Sequence, residues 1–388
     1  MIGRLVLRFL CERPWQFALA VMLCALGLAS AISIVWVQSL LETHARRQAE
    51  GIDIVVGAKG SALQNVLAAV YYLDLPNGNI PLAEVDKLRA NPQVARAIPI
   101  ALGDSVAGAR IVGTTPEFVS FYGATIASGA LPAAPMEAVI GAALAARTGL
   151  KVGDNFLGAH GMGEGGAEHD ATPYRVSGLL KPTGRVIDQT VVTPIESVWL
   201  VHGEHAASAT PEATFALLQV KGPVAMATLP RLINQQSGLQ AAVPALESAR
   251  LLASFDWVAL IVKVFAAVLV IAAMASLLGA LLQALARREP ELALLRAMGA
   301  TRRQLAALVL GESLLLVVLS SLLAAALVAL GSWALQAYAL PGIDVNVGEG
   351  FLFGLVGLLI ATLLAIIATI PVLWRSVSVD VAAQLSSR

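Results

Sequence analysis

Residues Arg287–Leu305 read RREPELALLRAMGATRRQL, a short basic amphipathic segment between two very apolar runs. That is where a membrane protein keeps a cytoplasmic handle. Pro290 suits the first turn of a helix, where a missing N–H costs nothing, and Gly299 suits the left-handed position just past a helix end. Thr301, followed by Gln304, reads as a capping box that opens the next helix, running into the apolar stretch from Ala306. Two helices are thus expected to meet at a corner. Leu292, Leu295 and Met298 share one face, leaving Arg288, Glu291 and Arg296 for polar contacts. Two readings of that face stand: a helix that docks onto a partner, or a basic loop that marks the inner side of a membrane.

Working outward, the chain of 388 residues is 57% hydrophobic and 13% charged, with a mean hydropathy of +0.75. A soluble domain of this length is far less apolar, so the composition predicts an integral membrane protein. A helix needs roughly 20 apolar residues to cross a bilayer. Four runs are long enough: about Trp15–Val37, Val258–Leu285, Leu305–Leu330 and Phe351–Trp374.

Arginines flank these runs unevenly. Arg4, Arg8 and Arg13 precede the first, Arg287, Arg288, Arg296, Arg302 and Arg303 lie between the second and third, and Arg375 and Arg388 follow the fourth. The positive-inside rule puts all three groups in the cytoplasm. The segment of about Leu41–Phe255 and the short Ser332–Gly350 connection then lie outside. The formal net charge of zero hides this asymmetry and argues neither for nucleic acid nor for an acidic partner. The two cysteines, Cys11 and Cys24, lie in or beside the first run, so core packing rather than disulfides must hold the outer segment. Ala29-Ser30-Ala31 resembles a signal cleavage site, but the apolar run continues through Ile32–Val37, which reads as an uncleaved anchor.

The expected organisation begins with an interfacial helix at 1–14, then a first span and stalk start at 15–40, the extracytoplasmic domain at 41–255 and a second span at 256–286. The basic segment at 287–304 follows, then a third span at 305–331, an outer loop at 332–350, a fourth span at 351–374 and a cytoplasmic tail at 375–388. Gln38–Glu50 carries no helix breaker, so the first span should continue as a stalk up to Gly51. Within the domain, Ile52–Val56 reads as a strand, Ser61–Val70 and Pro81–Ala90 as helices, and Val94–Ala101 and Ala109–Gly113 as strands. Phe215–Val220, Ala225–Gln236 and Leu239–Val243 repeat a strand–helix–strand pattern, so 51–114 and 211–243 are expected to form two halves of one α+β subdomain. Between them, 115–210 reads as a mostly β insertion, with short runs at Ala138–Ile140, Tyr174–Leu180 and Val191–Val192 and an aperiodic loop at Gly158–Asp170.

Few polar groups lie inside the spans. Lys263, about two turns into the second, either snorkels outward or faces a dimer cavity. Glu312, on the third, lies too far from Arg302 and Arg303 for a comfortable pair, so it either takes a partner from another helix or couples two subunits. So few charges fit a rigid transmitter better than an ion or proton path. All five histidines lie outside the membrane. His202 and His205, with His160 and His169, are weak zinc candidates on spacing alone, and solvated loop residues are the plainer reading. Gly57-Ala58-Lys59-Gly60 is no phosphate loop, since the lysine precedes the last glycine. No G-x-S-x-G elbow, H-E-x-x-H or Cys–His nucleophile set is present, which argues against an enzyme.

With these residues in view, the sequence resembles the MacB/FtsX-like permeases of type VII ABC transporters. Glu291, Arg296, Ala297, Gly299 and Ala300 match the family's E-x-x-x-x-R-A-x-G-A signature. Val112-Gly113-Thr114 with Pro116, Gly129, Glu137-Ala138-Val139-Ile140-Gly141 and Val152-Gly153-Asp154 are similar to its periplasmic core. The resemblance implies an α-helical membrane protein with four transmembrane helices and one large α+β extracytoplasmic domain, a porter-like core carrying a β-rich, sabre-like insertion. It implies that Glu291, Leu292, Leu295, Arg296, Met298, Gly299, Ala300 and Arg302 belong to a coupling helix seated on a cytoplasmic ABC ATPase. The chain carries no Walker A sequence, so ATP and magnesium are expected on that separate subunit, with no cofactor in this chain. The further partners implied are a second permease chain, membrane lipid and a periplasmic adaptor or substrate-binding protein, and no nucleic acid. Three functions follow: export or extraction of an amphiphile such as a peptide, antibiotic, lipid or lipoprotein; FtsX-like signalling to an envelope hydrolase; or metal-related transport.

Overall fold

The computed structural model describes residues 14–159, 172–201, 211–254, 257–258, 260–272, 274–275, 278–279, 282, 298–299, 301–338 and the single positions 359, 363 and 370. The chain divides into two compact units, one of apolar helices and one spanning Glu42–Phe255 with Leu340–Asp344. The boundary falls inside helix α1.

Helix α1 is Pro14–Ala49, 36 residues with no proline beyond its first position. At 1.5 Å per residue it reaches about 54 Å, well beyond the roughly 30 Å of a hydrocarbon layer. Its surface is inverted relative to a soluble helix. Ala25 and Ala29 are buried against Ala324 and Val328, whereas Leu19, Met22, Leu23 and Leu26 are exposed. Small residues at the closest contact, with Leu28 and Ile32 at its margin and Leu19, Leu23 and Leu26 exposed, is the pattern of helices that pack in lipid, where close backbone approach drives association.

Ala324 and Val328 belong to the long helix Arg302–Tyr338, whose Leu314–Ala334 stretch is apolar enough to span a membrane, as is Phe17–Ala49 of α1. Leu260–Ala272 is a shorter apolar helix, exposing Leu260, Ile261, Val264, Phe265, Val268 and Ile271. The expected fourth span lies outside the described residues except at 359, 363 and 370, which are helical. So, among the described residues, two helices are long and apolar enough to cross.

The second unit is α+β. Its strands are β1 Ile54–Ala58, β2 Ile80–Pro81, β3 Val94–Val106, β4 Ala109–Thr114, β5 Ile126–Gly129, β6 Glu137–Ile140, β7 Asn155–Phe156, β8 Tyr174–Leu180, β9 Val191–Pro194, β10 Glu212–Ala213, β11 Phe215–Val220 and β12 Leu239–Ala242. One mixed sheet runs β12-β1-β11-β3-β4-β9-β6-β8-β5, with β7 on β8. β1 sits antiparallel between β11 and β12, pairing Val56 with Ala216 and Ala241, so chain segments far apart in sequence share one sheet. β4 pairs with β9 in parallel, and β6 with β8 likewise.

The central strands are apolar on both faces because helices cover both. Val55, Ile98, Phe215 and Leu217 face one core, with helix α2 (Ala62–Ala69) and Phe118 and Tyr122 of the turn around α4 (Glu117–Phe121). Ile54, Val56, Ala216 and Leu218 face the other, with α3 (Leu82–Arg89) and Leu229 and Ile233 of α7 (Pro223–Gln236). A third core gathers Ile111, Ile140, Leu144, Tyr174 and Val191, with Leu144 on α5 (Ala142–Thr148).

The segment read as mostly β carries α4, α5 and α6 (Ile195–Val201) beside its strands. These short helices are held by local devices that hydrophobic periodicity does not reveal. Helix α5, for instance, stops at Gly149 in the left-handed conformation, whose N–H returns to the Ala145 carbonyl. The unit closes with α8, Pro244–Ser254.

Candidate functional site

Two places gather polar contacts at helix ends. The first is the corner after the basic segment. Gly299 has φ +99°, a left-handed backbone that glycine adopts without strain, and Met298 beside it is exposed. The Thr301 N–H donates to Gln304 Oε1 at 2.8 Å and the Gln304 N–H to Thr301 Oγ1 at 3.4 Å, forming the capping box expected there. Arg302 opens the long helix that follows, and Glu312 lies within it. Lys263 lies on the Leu260–Ala272 helix and is exposed. Glu291, Leu292, Leu295, Arg296 and Ala300 lie outside the described residues, as do His160, His169, His202 and His205. Among the described residues no three His, Cys, Asp or Glu side chains gather to hold a metal.

The second place is a collar around the outer end of α1. The Tyr71 hydroxyl donates to the Ala45 carbonyl of α1 at 3.2 Å and lies 2.8 Å from Ser248 Oγ of α8, so one side chain touches both α1 and α8. Gln48, buried on α1, accepts through Oε1 from the Val186 N–H. Arg185 donates to the Glu50 carbonyl and, at 3.2 Å, to the Tyr122 carbonyl, while its guanidinium sits 4.5 Å from the Tyr122 ring centroid. Burial pushes the Tyr122 phenol up to about 12, opposed by the Arg185 charge, so it stays neutral at any physiological pH.

The residues that resemble the family's periplasmic core have structural work here. A Cβ on Gly113 would come within 2.5 Å of Val198 Cγ2, so α6 can lie on β4 only because the residue is glycine. Gly141 is likewise pressed against the carbonyls of Ile187 and Asp188. Thr114 Oγ1 donates to the Pro99 carbonyl at 2.7 Å, and the Glu137 carboxylate accepts from the Ala133 and Ala134 N–H groups. None of these groups is presented to a ligand. The collar residues carry no periodicity or spacing that would mark them in the sequence, since each is a lone polar residue on a different element.

Together, the apolar helices with lipid-type packing, the capped corner and the domain fastened to a helix end define a membrane-anchored protein carrying a large α+β domain. The MacB-like periplasmic core domain family matches residues 17–236, more than half of the chain, and the FtsX-like permease C-terminal family matches 263–378. The chain belongs to the MacB/FtsX-like ABC transporter permeases, a membrane-embedded family with a periplasmic domain. Among solved structures it is similar to the periplasmic region of MacB from Actinobacillus actinomycetemcomitans, at 12% identity and TM-score 0.36, covering 52% of this chain and 95% of that one. It is also similar to the extracellular domain of the noncanonic ABC-type transporter YknZ from Gram-positive bacteria, at 11% identity and TM-score 0.32, covering 48% and 98%. No curated protein sequence matches it significantly.

Proposed function

We propose that this chain is the permease subunit of an ATP-driven complex that carries the motion of a cytoplasmic ATPase through the membrane to the outer domain, exporting or extracting an amphiphilic substrate. The observation that carries this reading is α1 itself, one uninterrupted helix that leaves the apolar unit and ends bonded to the domain. A continuous helix transmits displacement along its length, whereas a looped linker would absorb it.

In this reading the chain crosses four times with both termini inside. The exposed Trp257 and Trp333, near the outer ends of the second and third spans, suit the membrane interface. The segment with Glu291, Leu292, Leu295, Arg296, Met298, Gly299, Ala300 and Arg302 seats on the ATPase, which supplies ATP and magnesium. Two permease chains pair, Lys263 snorkels to the outer interface, and Glu312 pairs near the inner one. Gly299 and the Thr301–Gln304 box fix where the Arg302–Tyr338 helix begins, directly after this segment. An amphiphilic cargo suits the apolar side chains the domain exposes, among them Leu73 and Leu75 in the loop after Tyr71.

The test is ATP turnover by the complex of this chain with its ATPase in lipid nanodiscs. Arg296→Glu and Gly299→Trp are expected to abolish complex formation and turnover together. Unchanged assembly and turnover in both variants would reduce the basic segment to a topological marker.

A further inference from the structure

At Gly51 the chain leaves α1 with φ +80° and no atom within 4 Å of where a side chain would begin. By itself such a residue is a swivel: the backbone is permissive and nothing packs against it. Yet hydrogen bonds cross this point on three sides. On the sheet side, the Ile52 N–H donates to the Ala49 carbonyl at 3.0 Å, and Asp53 just beyond is itself fixed to β11, its N–H donating to the Leu218 carbonyl and its carboxylate accepting from the Val220 N–H at 2.7 Å. On the insertion side, Gln48 accepts from the Val186 N–H, and Arg185 donates to the Glu50 carbonyl. On the side of α8, Tyr71 joins Ala45 to Ser248.

Arg185 is placed to resist rotation rather than merely to fill space. Its planar fork reaches the last turn of α1 and the end of α4 at once, and its face lies on the Tyr122 ring. Tyr122 is fully buried between Phe118 and Phe121, with ring centroids 4.9 Å and 5.9 Å away, so the anchor cannot yield. Tyr71 is aimed by strain: Tyr72, the next residue, sits at φ 55° while its ring is buried in the same core. A non-glycine residue in that conformation persists only when its surroundings over-determine it.

We infer that Tyr71, Gln48 and Arg185 form a locked joint that overrides the Gly51 swivel, so that the outer end of α1, α8 and the 185–189 segment of the insertion move as one body. The three side chains are positioning residues. On the transmission reading, their consequence is that stalk displacement reaches the insertion undiminished instead of being lost as rotation about Gly51. The joint itself is testable without the ATPase.

The experiment is amide hydrogen exchange on the full chain in lipid nanodiscs, followed by ATP turnover with the partner subunit. Tyr71→Phe keeps the ring and removes only the hydroxyl, and Tyr71 makes no hydrogen bond to 185–189 among the described residues. If the joint is one body, the Val186 amide exchanges about threefold faster or more in Tyr71→Phe, because loosening one tie loosens the others. Ser248→Ala should reproduce the effect, and the double variant should be no worse than either single change. Arg185→Lys keeps the charge without the fork and should fall between wild type and Arg185→Ala. Faster exchange confined to the residues beside each substitution, with a wild-type rate at Val186 in Tyr71→Phe, would overturn the joint whatever ATP turnover does. Propagated loosening with turnover and its coupling unaffected would keep the joint and instead remove the transmission function.

Discussion

The two units of this chain bury opposite kinds of residue. The sheet domain hides Ile54, Val55, Phe215 and Leu217 completely, whereas the fully packed stripe between α1 and the Arg302–Tyr338 helix is Ala25, Ala29, Ala324 and Val328, with Leu28, Ile32 and Leu327 at its margin and Leu19, Leu23 and Leu26 exposed. In water, burying large apolar side chains is the dominant gain, so the domain hides its largest ones. In lipid a leucine gains nothing by leaving the surface, so only close backbone approach and shape are left to select a helix pair. The solvent around each unit can therefore be read from which residues it hides.

The largest expected break of this contrast is in the domain. Phe215 is fully buried, and its ring lies against Gly57, so Phe215→Ala should cost about 3–5 kcal/mol through lost transfer and an unfilled cavity. Thermal unfolding followed by tryptophan fluorescence should shift accordingly, and an unchanged midpoint would mean that this core is not closed. In the helix pair the rule inverts. Ala29→Leu overpacks the Ala324–Val328 contact and should cost about 1–3 kcal/mol, read as a lower unfolding midpoint in nanodiscs.

A smaller effect is expected at the corner. Thr301→Ala removes the Oγ1 acceptor from the capping box and should destabilise the start of the Arg302–Tyr338 helix by about 1 kcal/mol, seen as faster exchange of the Gln304 amide. The smallest is Leu26→Ala, on the exposed face of α1, which should leave stability within about 0.5 kcal/mol in lipid, as for ordinary surface changes. A large loss there would mean that Leu26 faces protein, and the inside–outside contrast between the two units would fail.

Much of the domain was legible from local pattern. Strands β1, β4 and β11 are short apolar runs and β8 an alternating one, each bounded by turn residues, and the helix read from Ser61 is α2, which Ser61 caps through the Gln64 N–H. The corner was legible for the same reason, because Gly299 and the Thr301–Gln304 pair are local signals with local causes. What escaped is set by distance in the chain. β3 continues past Ala101 to Val106, since Gly103, Asp104 and Ser105 break the apolar pattern while a register shift there keeps the strand paired with β4. Likewise nothing in the neighbourhood of Arg185 announces that its partners are Glu50 and Tyr122. Polar side chains that brace a joint need only one good partner, and that partner is chosen by the tertiary fold.

The most direct test of the central claim, that cytoplasmic work reaches the outer domain through α1, is a distance measured on that domain. With Cys11 and Cys24 replaced, a spin label at Lys181, an exposed position in the insertion, would report pulsed electron-resonance distances between the two permease copies of the proposed complex. The account predicts that trapping the ATPase in its ATP-bound state shifts this distribution and that Arg185→Ala abolishes the shift while ATP is still hydrolysed. An identical distribution with and without ATP, in a complex that turns over normally, would contradict it.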